Sequence, residues 1–102
     1  MNLPELSHKQ YAVLDCLRAD ELSGRELRAR LGEAGFGKTR ASFYQFMARL
    51  EDQKFVRVRR VPVEANGQTY YEHFYSLSGA GVAALNESDF FYASARGRVE
   101  RA

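Results

Sequence analysis

Residues Thr39–Gln53 read TRASFYQFMARLEDQ, and the spacing of their apolar side chains decides what the rest of the chain must be. Phe43, Phe46, Met47 and Leu50 fall at i, i+3, i+4 and i+7, which makes a single seam on a helix turning roughly 100° per residue. Thr39 stands where a helix cap belongs. Ala41, Gln45, Ala48 and Asp52 then point away from the seam, flanked by Ser42, Tyr44 and Arg49. The outward N-terminal half is polar and uncrowded, a surface open to close approach.

A helix with one apolar seam needs partners, and the sequence supplies them on both sides. Upstream, Leu22, Ser23, Glu26 and Leu27 have the spacing of a capping box with a hydrophobic staple. They open a short helix whose Leu27 and Leu31 face inward, whose Arg25, Arg28 and Arg30 face outward, and which Gly32 can end in a left-handed conformation. Earlier still, Ser7 caps a first helix expected to reach about Asp20, with Tyr11, Val13, Leu14 and Leu17 at helical spacing. Downstream, Phe55–Val63 reads as a strand in which Arg60 and Pro62 disturb the alternation, Pro62 favouring an edge or a bulge. Asn66-Gly67 signals a type I′ turn, and Gln68–Leu77 returns with Tyr71, His73, Tyr75 and Leu77 on one face. Ser78 caps a last helix carrying Val82 and Leu85. Its pattern fades after Asn86, before an aromatic cluster (Phe90, Phe91, Tyr92) and a basic tail expected to fray.

Composition bounds the function. At 102 residues, 45% of them hydrophobic and 27% charged, the chain is expected to be a single globular domain. No stretch has the length and apolarity of a membrane span, and Pro4, Glu5, His8 and Lys9 interrupt any apolar leader, so a cytoplasmic location without membrane contact is expected. Cys16 has no second cysteine to pair with and sits in a helical apolar pattern, where it reads as a packing residue. The formal net charge is +2, unevenly spread: Arg25 to Arg60 holds ten Lys and Arg against Glu26, Glu33, Glu51 and Asp52. A basic tract in an otherwise acidic small chain suits either a phosphate-facing surface or a solvated face.

The element order separates these readings. Three helices, a hairpin and a further helix give a mainly α fold with a small β-hairpin (α+β), a winged helix-turn-helix with a C-terminal helical extension. Residues 1–87 would form the domain, and 88–102 an extension offering a dimer contact and a frayed tail. In such a fold the third helix enters the major groove of duplex DNA through its N-terminal half. By residue type, Arg40 suits a guanine edge or a phosphate, Gln45 an adenine and Ala41 a thymine methyl, with Lys38, Thr39, Ser42, Tyr44 and Arg49 around them. Arg57, Arg59 and Arg60 on the first strand and Asn66-Gly67 at the wing tip complete the expected DNA-binding set.

Two segments carry a family resemblance. Ser42-Phe43-Tyr44-Gln45-Phe46-Met47-Ala48-Arg49-Leu50-Glu51 followed by Phe55-Val56 is similar to the recognition-helix segment of PadR-like transcriptional regulators. Tyr75-Ser76-Leu77-Ser78-Gly79-Ala80-Gly81 resembles the "Tyr-x-Leu-Thr-x-x-Gly" that opens that family's last helix, with Ser78 in place of Thr. Lys54 stands where the family commonly has Gly, and Glu64–Gln68 lacks the basic residues usual in its wing. Over Tyr11–Leu85 the resemblance implies a sequence-specific duplex-DNA-binding regulator, a repressor acting as a homodimer, with no cofactor and not an enzyme. Three consecutive aromatics cannot all face one core, so Phe90, Phe91 and Tyr92 are the expected dimer contact.

Other motifs compete. Gly32–Thr39 matches the G-x-x-x-x-G-K-[ST] phosphate loop, but that loop requires a buried strand before it and a magnesium-holding acid on another strand, where the sequence has a capped amphipathic helix. His8 and His73 lack a ligand cluster, so no metal is expected. Tyr70, Tyr71, Phe74 and Tyr75 could stack single-stranded bases, although aromatics also suit strands and cores. A winged helix used as a protein-interaction module is the main alternative; acids across the recognition helix would favour it, and here Glu51 and Asp52 lie at its C-terminal end only.

Overall fold

The computed structural model describes the backbone of residues 6–32 and 39–101 and the side chains of 6–32 and 39–91. The elements run α1 (His8–Cys16), β1 (Leu22–Ser23), α2 (Gly24–Leu31), α3 (Arg40–Asp52), β2 (Val56–Ala65), β3 (Gln68–Leu77) and α4 (Gly79–Arg101).

Local chemistry sets most of the boundaries. Ser7 and Ser23 each accept a hydrogen bond from the backbone N–H three residues on, while Gln10 and Glu26 reach back to the cap N–H, so α1 and α2 both open with complete capping boxes. Each such cap contributes about 1 kcal/mol. Gly32 ends α2 at φ 67°. Helix α1 stops at Cys16, short of the expected Asp20, because the chain must turn to lay Leu22 and Ser23 beside β3 as a two-residue strand. Helix α3 closes with both bonds of a Schellman motif, Phe55 N to Leu50 O (3.0 Å) and Lys54 N to Glu51 O (2.9 Å). The residue in the left-handed position is Lys54, at φ 68°. Phe55 is thereby consumed by the cap, and the strand begins one residue later than its valine pattern suggests.

The sheet is antiparallel in the order β1-β3-β2. Its register is unbroken from Val56↔Leu77 to Ala65↔Gln68, so Arg60 and Pro62 shift no pairing. Asn66 (φ 54°) and Gly67 (φ 76°) form the expected two-residue turn. Such a turn makes Ala65↔Gln68 a hydrogen-bonded pair, and alternation then leaves Pro62↔Tyr71 and Arg60↔His73 non-bonded. Proline is harmless there, on an edge strand with its nitrogen turned outward. The same parity turns the N–H groups of Thr69, Tyr71 and His73 away from β2.

The core gathers Val13, Leu14 and Leu17 of α1, Leu27 of α2, Phe43, Met47 and Leu50 of α3, Leu22, Val56 and Tyr75 of the sheet, and Leu85 of α4. Each fully buried aliphatic side chain contributes roughly 1.5–3 kcal/mol. Cys16 packs against this cluster, and burial pushes its thiol above the ordinary range, as suits a packing residue. Burial likewise raises the Tyr75 phenol.

Helix α4 is the expected C-terminal helical extension, running 23 residues without a break from Gly79 to Arg101. Its inward face is Gly81, Ala84, Leu85 and Ser88, helical in spacing but mostly small or polar. Of the two apolar residues that mark the helix in the sequence, Leu85 is buried and Val82 is 43% exposed. Gly81 is needed for contact: a Cβ there would lie 2.1 Å from the Phe55 carbonyl oxygen. That oxygen also accepts from Ser78 N, while Ser78 Oγ accepts from Gly81 N and donates to the Lys54 carbonyl. The start of α4 is therefore pinned to the α3–β2 junction.

Candidate nucleic-acid interface

Helix α3 presents its N-terminal half to solvent. Thr39 caps it, its Oγ1 accepting from Ser42 N (3.1 Å) and donating to Ser42 Oγ (2.8 Å), so both hydroxyls are oriented by each other. Arg40, Ala41, Ser42, Gln45 and Arg49 are exposed. Arg40, Gln45 and Arg49 have no side-chain hydrogen bond or ion pair among the described residues. Lys38 lies outside the described residues.

Tyr44 behaves differently from its neighbours. It is half-buried, with its ring 5.2 Å from Phe43 edge-on and 5.7 Å from His73 on β3. Its phenol oxygen lies 2.7 Å from where a Cβ on Gly24 would stand, so the missing side chain at the start of α2 makes room for this ring. His73 in turn stacks on Tyr75, 6.2 Å away. Tyr44 thereby stands where α2, α3 and the wing meet.

The strand arginines do not act as one group. By the pairing register Arg57 and Arg59 lie on one face of the hairpin and Arg60 on the other. Arg59 holds Glu21 at 2.7 Å and covers the Phe74 ring at 4.6 Å, and this bond draws the Glu21 carboxyl below its ordinary range. Arg60 holds Glu51 at 3.2 Å, at the C-terminal end of α3. Arg57 is exposed and has no ion pair among the described residues. They run from the base of the hairpin to the middle of β2, and the exposed tip, Asn66-Gly67, lies roughly 20 Å beyond Arg60 and roughly 30 Å beyond Arg57 at about 3.3 Å per residue.

Beside the N-terminal half of α3 is a cleft of about 250 Å³ between α2, α3 and β3. Its lining includes Arg25, Arg28, Arg40, Tyr44, Tyr71 and His73. Of these, sequence reasoning placed only Arg40 and Tyr44 at the interface. The outward arginines of α2 were legible; that they and the wing share one cleft was not, since this depends on how α2 meets β3.

Phe90 is 76% exposed and Phe91 half-buried on α4; the Tyr92 side chain lies outside the described residues. The Gly32–Thr39 segment follows helix α2, not a strand, so the strand that a phosphate-binding loop requires before it is replaced by a helix; residues 33–38 lie outside the described residues. Among the described residues no group of three His, Cys, Asp or Glu could hold a metal, and no helix is long and apolar enough to cross a membrane.

Capped α2 and α3, with a two-stranded wing returning beside α3, define a winged helix-turn-helix domain. The fold is that of the PadR-like transcriptional regulators. A PadR-like transcription factor from Bacteroides fragilis superposes with a TM-score of 0.73 at 18% identity, over 91% of this chain and 87% of that one. A PadR family regulator from Clostridium difficile gives 0.72 at 13% identity, over 93% and 97%. Bacillus subtilis PadR in complex with operator DNA gives 0.65 at 22% identity, over 80% of this chain and 46% of that one. No family model and no curated protein sequence matches the chain.

Proposed function

We propose that this protein is a sequence-specific DNA-binding transcriptional regulator, a homodimeric repressor that lays the N-terminal half of α3 in the major groove. The observation that carries this reading is the free polar end of α3, where Arg40, Ala41 and Gln45 stand exposed on a winged helix-turn-helix frame. Arg40 has the chemistry to hold a guanine edge or a backbone phosphate, Gln45 to read an adenine edge and Ala41 to pack on a thymine methyl. Thr39, Ser42 and Arg49 flank them, Lys38 precedes them, and Asn66-Gly67 extends the surface at the wing tip. Arg57 is the strand arginine with its charge free; Arg59 and Arg60 contribute to DNA only by leaving Glu21 and Glu51. The exposed Phe90, with Phe91 and Tyr92, supplies the dimer contact. Two copies would then set their α3 helices about 34 Å apart over a near-palindromic site. The resemblance of fold to a regulator solved on its operator supports the same reading.

The test is operator selection from a random duplex library, then titration of the selected duplex with wild type and with Arg40→Ala/Gln45→Ala. The double variant should stay folded and lose about 1–3 kcal/mol for each base contact removed. Unchanged affinity in the folded variant removes α3 from the base-reading role. Sedimentation equilibrium tests the assembly: a wild-type monomer at micromolar concentration, or a Phe90→Ser variant that remains fully dimeric, excludes the α4 contact.

A further inference from the structure

The cleft between α2, α3 and the wing brings Arg25, Arg28 and Arg40 to one concave surface. None of the three has an ion pair among the described residues, whereas Arg18, Arg59 and Arg60 each hold a carboxylate. Glu72 is the one acid in the lining, against three arginines, and it pairs with none of them. Like charges gathered in a concavity repel unless an anion joins them.

The third wall, β3, supplies further donors. Strand β1 pairs with β3 only at Leu22↔Tyr75 and Ser23↔Phe74, so beyond Phe74 the β3 edge has no strand partner among the described residues. The hairpin register turns the N–H groups of Tyr71 and His73 toward this side; Gly24 at the start of α2 stands opposite His73, and beyond it the Tyr71 N–H faces the open edge. Guanidinium forks and backbone N–H groups together suit a tetrahedral oxyanion. The rings of Tyr44 and Tyr71 flank the cleft, and about 250 Å³ accommodates a phosphate with its attached sugar or ring. An added peptide strand fits less well. Its lane continues β1, and the first turn of α2 occupies that lane at Gly24, with the Tyr44 phenol against it.

We propose that this cleft is a phosphate-ester site, with Arg25, Arg28 and Arg40 clamping the phosphate oxygens and the open β3 edge completing the shell. The ester is either a backbone phosphate of bound duplex or a free phosphorylated small molecule. The first source rests on the DNA-binding reading above; the second does not.

The experiment compares wild type, Arg25→Gln/Arg28→Gln and Arg40→Gln, with Lys9→Gln as a charge-loss control on the α1 surface. Phenyl phosphate is titrated into each labelled protein and followed through amide resonances. Duplex affinity is measured against salt in parallel. Wild type should show phenyl phosphate shifts concentrated at Tyr71, His73 and the start of α2, weakened at least tenfold in the double variant and unaffected in Lys9→Gln. A backbone source also lowers the slope of log affinity against log salt by about one to two in the double variant. Phenyl phosphate binding in the cleft without any duplex binding by wild type assigns the free ester and defeats the DNA reading instead. The proposal is overturned if the folded double variant changes neither measurement, if phenyl phosphate shifts scatter over all basic surfaces, or if an acidic hexapeptide displaces phenyl phosphate and shows strand-type contacts along β3.

Discussion

On the α1–α4 side of the molecule Arg18 bonds to Asp15 and Asp89, and on β2 Arg59 and Arg60 hold Glu21 and Glu51. In the cleft between α2, α3 and the wing, Arg25, Arg28 and Arg40 have no ion pair among the described residues. Neither set decides the fold, because solvent-exposed pairs contribute at most about 1 kcal/mol each. The difference teaches where function is available. Paired arginines tack existing elements together, and replacing them should be felt as stability. Arginines left without counter-charge beside an open strand edge gain their favourable energy only when something binds, and replacing them should be felt as lost affinity.

The two close-packed glycines break or sustain this contrast most strongly. At Gly81 an added methyl meets a backbone carbonyl oxygen that is already fixed by Ser78 N, and the start of α4 must move away. Gly81→Ala should therefore cost about 2–3 kcal/mol, read by urea denaturation. At Gly24 the obstacle is the tip of the Tyr44 side chain, which can swing aside. Gly24→Ala should change the denaturation midpoint little while weakening binding in the cleft. Comparable stability losses in the two variants would show that Tyr44 belongs to the frame and not to the binding face.

Lys54 offers a gain within the frame. It occupies the left-handed position of a complete Schellman motif, where a Cβ costs roughly 1–2 kcal/mol. Glycine removes that strain but brings a more flexible unfolded chain. Lys54→Gly should stabilise by about 0.5–1 kcal/mol in the same assay and leave duplex affinity unchanged. A destabilised variant would mean that the lysine side chain makes a compensating contact.

These sites also show what the sequence could convey. Helices α2 and α3 were legible because their caps and seams are local: Ser23 with Glu26, Thr39 with Ser42, Phe43 with Met47 and Leu50. The hairpin was legible from Asn66-Gly67. Strand β1 was hidden because two residues carry no periodicity, and Leu22 and Ser23 had already been read as staple and cap, roles compatible with pairing to β3. The continuation of α4 was hidden because Gly81, Ala84 and Ser88 do not register as an apolar face, although all three are buried. At the interface, individual outward side chains on α3 followed from helical geometry. Which arginines meet did not, since parity along β2 separates Arg60 from Arg57 and Arg59, and tertiary packing joins Arg25 and Arg28 to the wing.

The smallest expected effect tests the paired side of the comparison through pH. Asp89 on α4 accepts from the Tyr11 hydroxyl of α1 and bonds to Arg18 Nη1 at 3.0 Å. The Tyr11 bond, followed by that of Arg18, holds the Asp89 carboxyl below its ordinary range; Asp89, helped by burial, holds the Tyr11 phenol above its own. A depressed carboxyl contributes stability that is present above its unfolded value of about 3.9 and is lost as pH falls through the folded value. A raised phenol contributes stability that is present below about 10 and is lost as pH rises through its folded value. The contact therefore operates on a plateau between these limits. With Asp89 and Arg18 both more than a third exposed, solvent screening keeps the effect of Asp89→Asn below about 1 kcal/mol at neutral pH. The stability difference between wild type and variant should be flat from about pH 5 to pH 9 and shrink toward zero on acidification below about pH 4. A difference that persists undiminished into acid would assign the loss to packing rather than to charge, and would place the α1–α4 contact outside the paired class.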